Sequence, residues 1–184
     1  MRRLIFISGA CGCGKTTFTD AYAKYIAHQS GKTVYVIHGD TFHNSFVEPE
    51  ARYGFPVNSS PSQRYAWKEI LQFNWDCIID TAGKALRQGM DVIVDYVIED
   101  ELLRARNLAE AHQARLYYIV LTADACEIER RIRVRGDSKL IERALFLKEK
   151  LEAMPENRGH LYDNTDKHPE EMIREIELDR YRIE

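Results

Sequence analysis

Apolar positions along the chain fall into short unbroken runs separated by stretches with helical spacing. The run at 4–8 (LIFIS) stops at a glycine and reads as a strand buried on both faces. From Lys15 the period changes, with Phe18, Tyr22, Tyr25 and Ile26 on one helical face until Gly31 ends it. A β-branched and aromatic run at 33–37 (TVYVI) gives a second strand, ending at His38, Gly39 and Asp40. Residues 41–60 carry Pro49, Gly54 and Pro56 among aromatic side chains and read as a surface loop or lid. The spacing of Tyr65, Ile70, Trp75, Ile78, Ile79, Ala82 and Leu86 predicts one long helix over 62–87, closed by Gly89. Two more buried strands follow at 91–97 (DVIVDYV) and 116–121 (LYYIVL), with a helix through Leu102, Ala105 and Ala109 between them. Helical spacing returns at 125–134 and 140–151, and Pro169 suits the first position of a final helix. Strands alternating with helices imply a parallel sheet covered on both faces.

Length and composition narrow this picture only a little. At 184 residues the chain is expected to form one domain with a full core and no need of disulfides. A net charge of -3 gives no general attraction to a phosphate backbone or an anionic membrane, which makes nucleic acid an unlikely partner. The start MRRLIFISGA has two arginines before an apolar run, but the run is too short for a signal peptide and no stretch approaches membrane-spanning length. Cys11, Cys13, Cys77 and Cys126 suggest neither a zinc site nor a disulfide framework, so a reducing, cytoplasmic location is expected.

The chemistry begins at 9–16, where GACGCGKT matches GxxxxGK[ST] in full between a predicted strand and a predicted helix. Glycines let such a loop wrap phosphates, and its N–H groups and the helix N-terminus supply positive potential. Gly9, Ala10, Cys11, Gly12, Cys13, Gly14, Lys15, Thr16 and Thr17 are therefore the candidate nucleotide-binding residues. Lys15 adds a full charge, and Thr16 can hold Mg²⁺. A nicotinamide site is excluded by the lack of GxGxxG, Thr17 standing where the third glycine would be. Cys11 and Cys13 sit beside Lys15 and a helix N-terminus, a setting that lowers thiol pKa values; the alternative is plain small-residue filling.

A phosphate loop does not name the reaction. A small-molecule kinase, a GTPase-type switch and a non-catalytic nucleotide-binding module all start from it. For the kinase, Asp40 lies just past the second strand, on the side of the sheet where open α/β proteins bind ligands, and its carboxylate can accept a hydroxyl proton. The bland role for Asp40 is a helix cap. Asp95 follows an apolar strand as in a Walker B element, whose carboxylate holds Mg²⁺ directly or through water. His38 and His43 flank Asp40. Arg130, Arg131, Arg133 and Arg135 precede Gly136; they either neutralise phosphate charge from a mobile lid or form a solvated face paired with Glu127 and Glu129. Tyr65, Trp67, Phe73 and Trp75 read mostly as core. The switch has DTAG at 80–83, an imitation of a strand-DxxG element, but helical spacing runs through it and 164–167 reads NTDK rather than NKxD.

GACGCGKT, the GD of IHGDTFHN, DVIVDYV, ERRIRVRGD at 129–137 and YDNT at 162–165 together resemble the P-loop small-molecule kinases, in particular gluconate-kinase-like and chloramphenicol-phosphotransferase-like proteins. The resemblance covers most of the chain. It implies an α/β, three-layer P-loop NTPase fold whose five-stranded parallel sheet has order 2-3-1-4-5, with helices on both faces and a small lid at 129–145. It also implies ATP with Mg²⁺, Asp40 as base, lid arginines at Arg131 and Arg135, and adenine packed near Asn164 and Thr165. The partner is then a small-molecule hydroxyl acceptor, chosen by the loop and helix at 41–87. ERRIRVRGD lies closer to the antibiotic-modifying branch and GDTFHN to the sugar-acid branch, so the motifs do not choose the acceptor, and nothing in the sequence sets the oligomeric state.

Overall fold

A computed structural model describes residues 1–47 and 64–184. Five strands run parallel: β1 (Arg2–Gly9), β2 (Val34–His38), β3 (Asp91–Asp95), β4 (Ala114–Thr122) and β5 (Leu161–Asp163), in the order β2-β3-β1-β4-β5. This is the expected order. One strand is additional: β6 (Arg182–Ile183) pairs antiparallel with β4, Leu116 opposite Ile183. The helices are α1 (Lys15–Ser30), α2 (Asp40–Asn44), α3 (Trp67–Arg87), α4 (Leu102–Ala111), α5 (Ala125–Val134), α6 (Ile141–Ala153) and α7 (Pro169–Glu175).

The central strands are apolar at consecutive positions because both sheet faces are covered. Ile5 and Ile7 of β1, Ile93 of β3 and Ile119 of β4 join one core with Phe18 and Tyr22 of α1, Ile128 and Ile132 of α5 and Met172 of α7. Leu4 and Phe6, Val92 and Val94, and Tyr118 and Val120 join the opposite core with Trp75, Ile78 and Leu86 of α3 and Leu108 of α4. The layers are helix, sheet, helix. At the start of β3, buried Asp91 takes hydrogen bonds of 2.8 Å from the Arg3 backbone N–H and Nε, so its charge is paired where burial demands it.

The helix expected over 62–87 starts at Trp67; Ala66 before it is extended, and the Glu69 carboxylate accepts the Ala66 N–H at 2.8 Å to close the first turn. The start of the expected span, 62–63, lies outside the described residues, as do 48–60 of the segment read as a surface loop or lid. Residues 80–83 lie inside α3, so DTAG is a helical stretch with Ala82 in the core and not a strand-end loop. The aromatic positions need a correction. Trp75 is core, 2% exposed and packed on Phe6 and Tyr96, whereas Tyr65, Trp67 and Phe73 are about half exposed. Phe73, two residues before Trp75, falls outside the apolar face of α3 and meets Phe46 at a ring-centroid distance of 5.4 Å.

Candidate nucleotide and acceptor site

Because the four pairings among β1 to β5 are parallel, the carboxyl ends of those strands share one edge, and every candidate residue follows one of those ends or lies on a helix packed there. The 9–16 loop leaves β1. Gly9, Gly12 and Gly14 all have positive φ, 139°, 82° and 78°. A Cβ at Gly9 would stand 2.4 Å from the Leu121 carbonyl oxygen, and one at Gly12 would stand 3.0 Å from Ile132 of α5. Any side chain would therefore both strain the backbone and push the loop off its neighbours. Lys15 opens α1 and donates to the Ala10 carbonyl at 3.1 Å, which folds its charge back over the loop. Thr16 and Thr17 are exposed in the first turn of α1. Cys13 is buried in the core, and desolvation raises its thiol pKa despite the opposing charge of Lys15. The thiol-activating setting is thus overturned for Cys13, whose role in the fold is filling.

A cavity of ≈ 600 Å³ opens beside the loop, with Gly14, Thr17, Arg131, Arg135, Asn164 and Thr165 among its lining residues. The structure brings these six together from α1, α5 and the turn after β5. Arg131 is tied down within this group. Its guanidinium donates to the Asn164 and Thr165 carbonyls at 3.0 and 2.9 Å and to Asn164 Oδ1 at 3.3 Å, while Nε donates to Glu127 at 2.7 Å. Asn164, 2% exposed, in turn donates through Nδ2 to the Cys13 carbonyl at 2.8 Å, which closes a ring of contacts from loop to α5 to the β5 turn. Glu127 also receives Arg130, and these two guanidinium groups hold its carboxyl down to about 2. Arg133 pairs with Glu129 at 3.0 Å. The paired-face arrangement therefore accounts for Arg130 and Arg133, whereas Arg135 has no ion pair among the described residues. Gly136 follows with a φ of 81°, breaking α5 from the turn that leads to α6.

Asp40 begins α2 and is exposed, with no hydrogen bond among the described residues; Gly39, not Asp40, occupies the cap position. Gly39 is required for contact: a Cβ there would stand 2.4 Å from the Tyr96 ring. Asp40 lines a second cavity of ≈ 130 Å³ with His43, Trp67, Tyr96 and Arg143 among others. His43 is held there by Asn74, whose amide nitrogen lies 2.9 Å from His43 Nδ1 and donates to Tyr96 Oη at 3.0 Å. Burial lowers the His43 pKa against the opposing charge of Asp40, and burial pushes the Tyr96 hydroxyl up to about 12. Arg143 faces Glu99 at 3.5 Å, and Lys150 meets the same carboxylate at 2.6 Å.

Asp95 ends β3, 2% exposed, and its Oδ2 is 2.8 Å from His38 Nδ1. The Thr16 hydroxyl and Asp95 carboxylate are hard oxygen donors, the kind that Mg²⁺ takes when phosphate oxygens and water complete its shell, so these residues fit that ion. Asn74, the link from His38 to Asp95 and the contacts that join Arg131, Asn164 and Cys13 escaped sequence reasoning, because they connect residues 22 to 151 positions apart.

Fold and site together define a nucleotide-binding P-loop protein of the three-layer α/β kind. Residues 4–159 match the AAA domain family, and the chain belongs to that family. Among solved structures, the Mycobacterium tuberculosis APS kinase CysC, determined with AMPPNP and APS, is similar with a TM-score of 0.65 and 15% identity over 97% of this chain and 96% of that one. The Deinococcus radiodurans tunicamycin resistance protein gives 0.60 and 16% over 95% and 92%, and a Sinorhizobium meliloti gluconokinase gives 0.56 and 20% over 98% and 93%. At these identities the likeness is one of fold alone. No curated protein sequence matches the chain.

Proposed function

We propose that the chain is one P-loop kinase domain over 1–184 that transfers the γ-phosphate of ATP to a hydroxyl of a small molecule. The observation that carries this reading is the pair of cavities at the carboxyl edge of the sheet, one against the glycine loop and one against Asp40. A switch or a passive binding module has no use for the second.

In this reading the loop N–H groups and Lys15 bind the phosphates, and the base lies in the larger cavity beside Asn164 and Thr165. Bound Mg²⁺ would neutralise charge on the phosphate oxygens, with Thr16 and Asp95 as its holders. Asp40, unpaired in the described structure, accepts the proton of the attacking hydroxyl. Arg131 fixes the nucleotide-side walls, whereas Arg135, beside the Gly136 break, is the cation placed to meet the transferring charge as the 129–145 segment closes. Among the described residues no helix is long and apolar enough to cross a membrane.

The test is substrate-dependent ADP release over a panel of sugar acids, nucleosides, aminoglycosides and phenicols. A hydroxyl compound that raises ADP release in wild type and not in Asp40→Asn, with a phosphorylated product by mass, is the expected result. Nucleotide binding with no turnover on any panel member, or GTP preferred to ATP, would count against the reading.

A further inference from the structure

His38 is the last residue of β2 and pairs in register with Asp95, the last residue of β3. The adjacency is reinforced by the main chain, since the Gly39 N–H donates to the Asp95 carbonyl at 2.9 Å. The imidazole lies between two carboxylates: Nδ1 is 2.8 Å from Asp95 Oδ2 and Nε2 is 3.3 Å from Asp20 Oδ1. Asp20 belongs to α1, the helix that the glycine loop opens, so the three residues join the phosphate-binding helix to the ends of two strands. Asp95 Oδ1 makes no hydrogen bond to the described residues, which leaves one carboxylate oxygen engaged and one free.

A carboxylate can rotate about its terminal torsion at low cost, and in a buried site it turns toward whatever donor is present. An imidazole fixed by strand position removes that freedom. It engages Oδ2 and leaves Oδ1 as the oxygen available to an ion or to an ion-bound water, the role that outer hydrogen-bond partners play around ligating groups. Among the described residues no three His, Cys, Asp or Glu side chains are grouped to hold a metal by themselves, so Asp20, His38 and Asp95 are not an independent metal site.

We propose that His38 is a positioning residue that fixes the Asp95 carboxylate for the Mg²⁺–nucleotide complex, and that Asp20 on α1 holds the imidazole in place. The inference rests on the nucleotide reading given above and does not depend on which acceptor is used. His38 is about one-third exposed and Asp20 about half exposed, so both can be replaced without opening the core.

The experiment titrates Mg²⁺ against binding of a fluorescent ATP analogue, in wild type, His38→Ala, His38→Asn and Asp20→Asn, with thermal melting of each variant without Mg²⁺. His38→Ala should raise the Mg²⁺ concentration for half-maximal binding about 10-fold, the lower end of the effect of such partners. Mg²⁺-free binding of the analogue should change less than about twofold, because Asp95 then has no ion to serve. His38→Asn, which keeps a donor, should recover part of the loss, and Asp20→Asn should show a smaller change in the same direction. An unchanged Mg²⁺ response in His38→Ala overturns the inference. Equal weakening with and without Mg²⁺ also overturns it, since His38 would then support the fold or the loop in general. A His38-dependent Mg²⁺ response in a wild type that never releases ADP sustains the inference and removes the kinase reading.

Discussion

The two halves of the site are built differently. On the nucleotide side the main chain itself is the binding surface, and neighbours lock it: Arg131 spans Glu127, Asn164 and Thr165, and Asn164 holds Cys13. On the acceptor side the groups are side chains on a short helix and on α3, with Asp40 exposed and half-exposed Trp67 on its wall. The rigid half suits a ligand whose triphosphate does not vary. In the kinase reading proposed above, the looser half would be the one that takes the acceptor.

The widest separation between the halves should come from Lys15→Ala and Asp40→Asn. Lys15→Ala should cut turnover by about 10³-fold and weaken ATP binding as well, because a charge on the phosphates acts in both ground and transition states. Asp40→Asn should cut turnover by about 10²-fold with ATP binding and melting temperature nearly unchanged, since that carboxylate makes no hydrogen bond or ion pair among the described residues. Steady-state kinetics with separate nucleotide titrations decide the matter. Loss of ATP binding in Asp40→Asn would merge the two halves.

A smaller effect separates two arginines on the nucleotide side. Arg131→Ala strands the Asn164 and Thr165 carbonyls and frees Glu127, so melting should fall by about 2–12 °C, from roughly 1–3 kcal/mol at about 2–4 °C per kcal/mol. Arg135→Ala should leave melting alone and lower kcat more than ATP affinity. Equal melting losses in both would mean that Arg135 is also a structural residue.

The smallest effect is a pH dependence on the acceptor side. Burial holds the His43 pKa below its ordinary 6.5, so the unfolded chain takes up a proton more readily than the native one. Its contribution to stability is therefore intact above 6.5 and falls as pH drops below that value. Melting temperature against pH should fall more steeply below 6.5 in wild type than in His43→Gln; parallel curves would show that His43 titrates alike in both states.

The same contrast explains what could be read from sequence. GACGCGKT was legible because a loop made of main chain depends on glycine spacing and little else, and the alternation of runs fixed the order of layers. Aromatic character alone reads Phe73 as core along with Trp75, although of the two only Trp75 belongs to the helical apolar spacing that marks the buried side of α3. β5 and β6, three and two residues long, are too short to show a period. The link from His38 to Asp95 exists only once β2 lies beside β3.

The edge of β4 away from β1 is shared by two unrelated short strands, β5 along Val120–Thr122 and β6 along Leu116–Tyr117. β6 is held there by its backbone pairing, by Ile183 packed against the core on that face and, one residue on, by Arg106 donating to the Glu184 carbonyl at 2.9 Å. So small a strand detaches at far lower cost than global unfolding. Each detachment bares the main chain of Leu116 and Tyr117, a ready template for a strand from a second molecule. Ile183→Pro, which disrupts that pairing, should therefore increase self-association of the concentrated protein by light scattering while leaving turnover intact.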